Sequence, residues 1–410
     1  MQVTRILANV SCYPENYQPL PLPVQAPEAD QKALLKAPLK APLKLPRAAT
    51  LIHWRPWLAQ ISETRASHAA SWKLLSHARR ALLNMATIEE HCEAGALDDT
   101  RWQRPVGGPG MPIWNHNIMP MNLHEELPQS REARAEASPP KMDIVFIHGL
   151  RGGAFSTWRY HGEELPYRKG GEMGGCWPVD LAGELPDVRI MSVKYKTRIT
   201  DWSGYTLSIE DLGSHIITRL HAAGVGARPV VFVTHSMGGL LMKQMLQYAR
   251  EDPKYAAMYQ NVRGVVFYST PHFGSWLANV PPGLSTLVRT APGVDQMRST
   301  NNYLETLHQE VRALHQRGQL DVLSFAEGKT TPVMEVWSQR LSLKVDIVPM
   351  ESSYPGFGEY VILPHTDHVT TCKPRDKDDP AYRKTRDFAR RILNELDQEA
   401  ASHSSHSNDS

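Results

Sequence analysis

From about residue 140 onward, short apolar runs alternate with segments whose apolar residues recur at helical spacing. A short run rich in Val, Ile and aromatic residues is typical of a buried strand, whereas recurrence every three or four residues is typical of an amphipathic helix. One such helix begins at Ser208, and another ends the pattern over residues 381–396. This alternation predicts an α/β fold with a mostly parallel, doubly wound sheet. The predicted strands cover residues 143–147, 189–195, 230–235, 262–269, 320–326, 343–348 and 360–363.

Ser236 stands where the apolar run VVFVTH meets a helical pattern, in the segment T-H-S-M-G-G. A serine hydroxyl is a useful nucleophile only where a sharp turn exposes it to a base and to backbone N–H donors. Gly238 and Gly239 permit such a turn and a close approach of helix and strand. Thr234 occupies the first position of the G-x-S-x-G pattern, so the match is incomplete. Taken alone, the segment is also compatible with an ordinary strand-to-helix connection.

A second glycine-bearing turn, H-G-L-R-G-G, follows the strand at 143–147. A His-Gly pair at a strand end, upstream of such a serine, is typical of the oxyanion loop of α/β-hydrolases. We predict that the N–H groups of Leu150 and Met237 form the oxyanion hole, the latter at a helix N-terminus where negative charge is favoured. Together the two turns predict acyl transfer through a tetrahedral intermediate.

The order of the strands selects the other catalytic residues, because in this fold the chain order is Ser, acid, His and each lies at the carboxyl end of a strand. Glu327 directly follows the strand LDVLSFA and is the predicted acid; Asp346, inside the run LKVDIV, is the alternative. His368 in P-H-T-D-H is the predicted base, and His365 fits a surface loop. His272 could line the pocket without taking part in proton transfer. The predicted chemistry requires no metal and no redox cofactor.

These segments resemble the serine-active-site-containing protein family, a lipase-like group of α/β-hydrolases. The resemblance covers about residues 140–397 and implies Ser236 as nucleophile, Glu327 as acid and His368 as base. It also implies phospholipid acyl remodelling, notably of phosphatidylglycerol, and association with the membranes of the mitochondrion and the endoplasmic reticulum. The matching segments are F-I-H-G-L with W-R, T-H-S-M-G-G, S-T-P-H, S-F-A-E, and D-H with C-K-P.

The remaining chain predicts appendages rather than a second core. Eight prolines and a repetitive L-K-A-P tract within residues 1–48 are typical of a disordered segment, and we favour a solvated tail there over peripheral contact with an anionic membrane. A weak mitochondrial presequence is the other alternative for this segment. Residues 276–318 form an insertion where hydrolases often carry a lid; a pair of surface helices fits equally. The predicted organisation is 1–66 disordered, 67–92 helix, 93–140 linker, 141–398 α/β-hydrolase domain and 399–410 disordered tail.

The amino-acid composition argues against some classes of binding partner and membrane attachment. With a formal net charge of +2 over 410 residues and no cluster of basic and aromatic side chains, nucleic acid is not an expected partner. Four widely spaced cysteines match no metal-ligand spacing and favour a reducing, intracellular compartment. No signal peptide is evident. Residues 264–288 lack charged side chains, but their prolines and glycines argue against a transmembrane helix.

Two functional hypotheses follow. The first is a serine esterase or lipase that acts on a lipid ester, with the hydroxyl of Ser236 as nucleophile. The second is a catalytically silent α/β-hydrolase scaffold that binds a lipid or a protein partner. The presence of all three catalytic residue types in the expected order favours the enzyme.

Overall fold

The structure is a computed structural model that describes residues 58, 75–83, 117–122, 139–150, 152–159, 175–195, 208–273, 296–329, 331–335, 342–345, 348 and 350–407. Nine strands lie within these residues: β1 Ile118–Pro120, β2 Met142–Ile147, β3 Val188–Val193, β4 Val230–His235, β5 Val262–Tyr268, β6 Asp321–Glu327, β7 Thr331–Glu335, β8 Ser342–Val345 and β9 Glu359–Leu363. The helices are α1 Trp177–Glu184, α2 Ile209–Ala222, α3 Met237–Glu251, α4 Ala256–Asn261, α5 Gln296–Gln316, α6 Met350–Ser353 and α7 Pro380–Ser407, with a 3₁₀ turn at Pro253–Tyr255.

Seven strands form one sheet in the order β1-β3-β2-β4-β5-β6-β9. All neighbouring pairs are parallel except β1 with β3, which is antiparallel. The carboxyl ends of β2, β4, β6 and β9 therefore meet at one edge of the sheet. The predicted α/β-hydrolase fold, with its mostly parallel and doubly covered sheet, is confirmed.

Both faces of the central strands are buried, since successive residues of each strand point to opposite sides and helices cover each side. Val145, Phe232 and Val265 face the core that α2, α3 and α5 cover. Phe146, Val233 and Val266 face the other core, which α1 and α7 cover. This arrangement explains why the central strands are continuous apolar runs rather than alternating ones.

The helix α2 begins as the sequence predicts. The Ser208 hydroxyl accepts a hydrogen bond from the N–H of Asp211, and the Asp211 carboxylate accepts one from the N–H of Ser208, so a capping box fixes its first turn. Residues 75–83 are also helical, inside the predicted helix 67–92. The Ser76 hydroxyl donates to the Pro120 carbonyl at 3.1 Å, which attaches this helix to the β1 edge of the sheet.

Two elements differ from the sequence-based expectations, and a third decides between two alternatives. The predicted strand 343–348 does not join the main sheet: Ser342–Val345 pairs with β7 in a separate antiparallel hairpin, because a β-rich run specifies a strand but not its partner. The second half of the insertion, α5, packs on α3 with Leu307 and Val311 fully buried, so this half fits the alternative of a packed surface helix rather than a lid. Residues 274–295 of that insertion lie outside the described residues.

The last helix, α7, continues to Ser407, past the start of the predicted tail at residue 399. No Gly or Pro follows Pro380 within this helix, so nothing in the sequence interrupts its i to i−4 hydrogen bonds. Most of segment 1–66 and all of the linker up to residue 116 lie outside the described residues. No helix in the described part of the chain is long and apolar enough to span a bilayer.

Candidate active site

Ser236 lies in the turn between β4 and α3, with backbone angles φ 54° and ψ −126°. A positive φ is costly for a residue with a side chain, and such strain is typical of a nucleophile held on a sharp elbow. The N–H of Ser236 donates to the Tyr268 carbonyl at 2.9 Å, which ties the elbow to the end of β5. The Thr234 hydroxyl donates to the Val266 carbonyl at 3.1 Å, so this side chain is accommodated between β4 and β5.

Two glycines make the close approaches that this turn requires. A Cβ at Gly238 would lie 2.3 Å from the Ile147 carbonyl oxygen, so only glycine lets α3 begin against the end of β2. A Cβ at Gly149 would lie 2.8 Å from the Cβ of Ser236. The His-Gly turn therefore packs directly against the serine.

The three predicted catalytic side chains meet at this edge of the sheet. The Ser236 Oγ lies 2.9 Å from Nε2 of His368, and Nδ1 of His368 lies 2.9 Å from Oε2 of Glu327. In the neutral imidazole, Nδ1–H donates to the carboxylate and Nε2 accepts the serine hydroxyl, which is the tautomer that base catalysis needs. The side chains of His368 and Glu327 are 9% and 3% exposed, so water competes little for these bonds.

Glu327 is the last residue of β6, and its neighbour Gly328 brings the base to it. A Cβ at Gly328 would lie 2.5 Å from the Cα of Pro364, at the start of the loop that carries His368. The N–H of Gly328 also donates to the carbonyls of Leu363 and Thr366. The alternative acid Asp346 lies outside the described residues.

Asp367 shapes the turn that carries the base. Its Oδ1 accepts from the N–H groups of Val369 and Thr370, at 3.0 and 2.9 Å. This side-chain-to-backbone pattern fixes a tight turn, as Asp commonly does. His365 is exposed in the same loop. His272 is buried and packs edge-on against Phe267, and none of its contacts in the described structure is with the three catalytic side chains.

The predicted oxyanion donors lie on either side of the serine. Met237 is the first residue of α3 and Leu150 lies in the turn after β2. Neither backbone N–H has a hydrogen-bond partner among the described residues. At a helix N-terminus, and in a turn pressed against the nucleophile, such donors are suited to a developing negative charge.

His148 orients the Leu150 donor. Its Nδ1–H donates to the Gly149 carbonyl at 2.8 Å, and its ring stacks on Tyr195 with centroids 4.1 Å apart. In a trans peptide the carbonyl and the next N–H point in opposite directions, so the Leu150 N–H points away from the imidazole. Burial lowers the pKa of His148 to about 4, which keeps this ring neutral near pH 7.

The described residues contain no cluster of three or more His, Cys, Asp or Glu side chains that could hold a metal ion. Cys176 and Cys372 are free, buried thiols, and burial raises the pKa of Cys372 to about 12. Both thiols are therefore protonated and poorly nucleophilic. The hydroxyl of Ser236, by contrast, lies within hydrogen-bond distance of an imidazole that could act as its base.

No sequence pattern predicted roles for His148, His235, Gly328 or Asp367. Asp367 had a local signal, since Asp followed by polar residues is typical of a side-chain-capped turn. Gly328 had none, because its role depends on a contact with a loop 36 residues further along the chain. Such packing contacts are visible only in the folded chain.

Comparison with known proteins supports the same fold. Residues 144–408 match the model of the alpha/beta hydrolase family. Protein SERAC1 from mouse is 34% identical over 271 residues, which is 64% of this chain and 40% of that protein; human SERAC1 is 35% identical over 267 residues, 63% and 40%. This chain therefore aligns with less than half the length of these curated relatives.

Among solved structures, a monoacylglycerol lipase from Paleococcus ferrophilus is 16% identical, with a TM-score of 0.34, over 63% of this chain and 95% of that one. That likeness is too distant to bear on function. The family model, by contrast, covers well over half of this chain. The resemblance to lipase-like hydrolases that the motifs predict is thereby confirmed at the level of the family. The chain belongs to the alpha/beta hydrolase family.

Proposed function

We propose that this protein is a serine ester hydrolase of the lipase type. The observation that carries the proposal is the continuous hydrogen-bonded chain from the Ser236 hydroxyl through His368 to Glu327, with 2.9 Å at each step. The strained backbone of Ser236 supports it, because strain of this kind is retained where it exposes a nucleophile.

In the proposed reaction, Ser236 Oγ attacks the ester carbonyl while Nε2 of His368 takes the hydroxyl proton. The oxyanion accepts hydrogen bonds from the N–H groups of Leu150 and Met237. Loss of one such donor typically raises the activation free energy by about 3 kcal/mol. The carbon–oxygen bond to the leaving group then breaks, and His368 returns the proton to the alcohol. Water repeats both steps on the acyl-enzyme and releases the acid.

The carboxylate of Glu327 stabilises the imidazolium that forms on His368. The burial of this pair strengthens the stabilisation, because solvent screens it little. The carboxylate also fixes the tautomer of the imidazole. A side chain of similar shape without the charge would provide neither effect fully.

The substrate class that we propose is a lipid ester, and more narrowly a phospholipid such as phosphatidylglycerol. The resemblance of the motifs to the serine-active-site-containing family supports this choice. Two exposed apolar side chains, Ile362 at 45% and Val369 at 49%, flank the loop that carries His368 and favour contact with a lipid surface. Association with mitochondrial and endoplasmic reticulum membranes belongs to the same proposal.

Labelling by a fluorophosphonate probe tests the nucleophile. We expect the wild-type protein to be labelled and Ser236→Ala to remain unlabelled, since the probe phosphonylates only an activated serine. Ser269→Ala, at the end of the neighbouring strand, is the matched control and should be labelled. Absent labelling of the wild type, or labelling unchanged in Ser236→Ala, would instead support the silent scaffold.

The substrate class needs a separate measurement. Fatty acid release from vesicles of phosphatidylglycerol and of phosphatidylcholine would be compared with hydrolysis of a water-soluble short-chain ester. We expect faster release from phosphatidylglycerol. Hydrolysis of the short-chain ester alone would retain the esterase mechanism and reject the phospholipid substrate.

A further inference from the structure

His235 immediately precedes the nucleophile, and its side chain turns toward the loop of the base. Its ring Nε2 lies 2.7 Å from the main-chain carbonyl oxygen of His368. The two imidazole rings lie 5.2 Å apart between centroids and are tilted by 45°. His235 itself is only 8% exposed. The contact is therefore a buried hydrogen bond beside the site, between residues 133 positions apart.

The geometry fixes which nitrogen of His235 carries the proton. A carbonyl oxygen only accepts, so Nε2–H must be the donor. Burial, together with the smaller effect of the adjacent His368, lowers the pKa of His235 to about 3. The ring is thus neutral near pH 7 and donates one hydrogen bond without placing a second positive charge beside the imidazolium that forms on His368.

The dipeptide of residues 235 and 236 therefore contacts the base at two points. The Ser236 hydroxyl meets the imidazole at Nε2, while the His235 ring meets the main-chain carbonyl of the same residue. A third contact, from Glu327 to Nδ1, lies on the other side of the imidazole. Movement of the base loop away from the elbow would break the first two bonds together.

His235 also contacts the oxyanion turn. A Cβ built on Gly149 would lie 3.1 Å from Nδ1 of His235 and 2.9 Å from its carbonyl oxygen. The buried ring consequently lies between the turn that carries Leu150 and the loop that carries His368. One side chain contacts both parts of the site that the proposed reaction must hold in register with the serine.

We propose that His235 is a positioning residue, whose Nε2–H holds the main chain of His368 against the elbow so that the imidazole remains within reach of Ser236 and Glu327. The inference rests on the proposed ester hydrolysis for its kinetic consequence, but not for the contact itself. A misplacement of about 1 Å in a catalytic group commonly costs about a hundredfold in rate. The Nε2–H of His235 prevents such a displacement.

Two variants of similar length separate the donor from the bulk of the side chain. His235→Gln keeps an N–H donor at about the same reach, whereas His235→Met fills similar space without a donor. We expect kcat to fall by about 10-fold to 100-fold in His235→Met, with KM within about threefold, and to stay within about fivefold of the wild type in His235→Gln. His365→Gln, in the exposed part of the same loop, is the control and should match the wild type.

A spectroscopic readout keeps the inference separate from the proposed function. The proton on Nδ1 of His368, bonded to Glu327, gives a proton NMR signal far downfield, and this signal needs no substrate. We expect it to persist in His235→Gln and to broaden or vanish in His235→Met. A wild type without esterase activity but with this pattern would reject ester hydrolysis and retain the positioning role.

If His235→Gln and His235→Met both keep the kcat and the NMR signal of the wild type, the inference is overturned. It is also overturned if both variants lose kcat and the signal to the same extent. Thermal unfolding of each variant shows whether a loss of activity reflects loss of the fold. If His235→Met fails to fold, the comparison passes to His235→Asn, whose shorter amide does not reach the His368 carbonyl. Full activity of His235→Asn would then overturn the inference.

Discussion

At the scale of single residues, three hydrogen bonds arrange the site around one strained serine. Glu327 and Ser236 bond the two ring nitrogens of His368, and His148 fixes the peptide that carries the Leu150 donor. Each bond sets the position or the charge of an atom that reacts in the proposed mechanism. Their removal should therefore affect turnover more than substrate binding.

Glu327→Gln should lower kcat on a soluble ester by about 10³-fold to 10⁴-fold, because the amide no longer stabilises the imidazolium and permits the wrong tautomer. Asp321→Asn is the control: Asp321 lies at the opposite end of β6, half exposed and paired with Arg391 at 3.0 Å. Asp346→Asn should also change little. Loss of turnover in Asp346→Asn, with Glu327→Gln active, would transfer the role of acid to residue 346.

His148→Phe should lower kcat by about 10-fold to 100-fold, since the Gly149 carbonyl loses the donor that orients the Leu150 N–H. Phenylalanine keeps the stack on Tyr195, so the fold of the turn should survive. Stopped-flow measurement of acylation by an activated ester would show the effect on the first chemical step. Unchanged acylation would mean that the peptide keeps its orientation without this imidazole.

At the scale of elements, the sheet carries the reactive residues at one edge and an ionic cluster at the other. Asp143, near the start of β2, accepts two hydrogen bonds from Arg189 at 2.7 and 2.6 Å and one from Arg228 at 3.2 Å. The Asp143 side chain is fully buried. It lies about 16 Å along the strand from His148, at 3.3 Å per residue.

Asp143→Asn should lower the free energy of unfolding by about 3–5 kcal/mol, because it leaves two guanidinium groups beside a buried neutral amide. Urea denaturation measures this loss. Lys141→Ala is the control, since its exposed ion pairs with Asp187 and Asp397 should contribute little. Below the unfolding transition, kcat of Asp143→Asn should match the wild type, and a large loss of kcat there would link this cluster to the active site.

At the scale of the whole molecule, two covered faces enclose nearly every residue of β2, β3, β4, β5 and β6, and a few polar groups are enclosed with them. Lys243 on α3 is fully buried, and its Nζ has no hydrogen-bond partner among the described residues. It lies 5.9 Å from the centroid of Phe267, close to the buried His272 and His308. Burial lowers the pKa of Lys243 to about 7, although Glu305 opposes this shift.

Lys243→Met should raise the free energy of unfolding by about 2–5 kcal/mol at pH 7, since a buried cation without a partner is costly. Between pH 7 and about 10.5, unfolding of the wild type takes up a proton on this lysine, so rising pH stabilises the wild type relative to the variant. The difference in the free energy of unfolding between Lys243→Met and the wild type should therefore be largest at or below pH 7 and should shrink toward pH 10. Denaturation of both proteins at pH 6.5 and 9.5 measures it.

The matched control for this prediction is Lys254→Met, at an exposed lysine that follows the same helix. The difference in the free energy of unfolding between Lys254→Met and the wild type should not change with pH in this window, because an exposed lysine is solvated by water in both the folded and the unfolded chain. A pH-independent difference in the free energy of unfolding between Lys243→Met and the wild type would show that Lys243 stays protonated in the folded chain throughout this window.

The amino-acid sequence by itself determined most strands of the main sheet and their parallel arrangement, and it predicted three candidate catalytic side chains, because these follow from local patterns and from the order of motifs along the chain. Apolar runs predicted β2, β4, β5 and β6 within a residue or two at each end. The tertiary structure decided what depends on contacts between distant residues. It placed Ser342–Val345 outside the main sheet and α5 in the core.

Only the folded chain brought His235 to the carbonyl of His368 and Gly328 to Pro364. Local propensity acts over a few residues, whereas these contacts join positions 133 and 36 residues apart, and no pattern within either segment specifies the other. The sequence thus set which groups could react. Close packing of the loops at one edge of the sheet set the distances at which they meet.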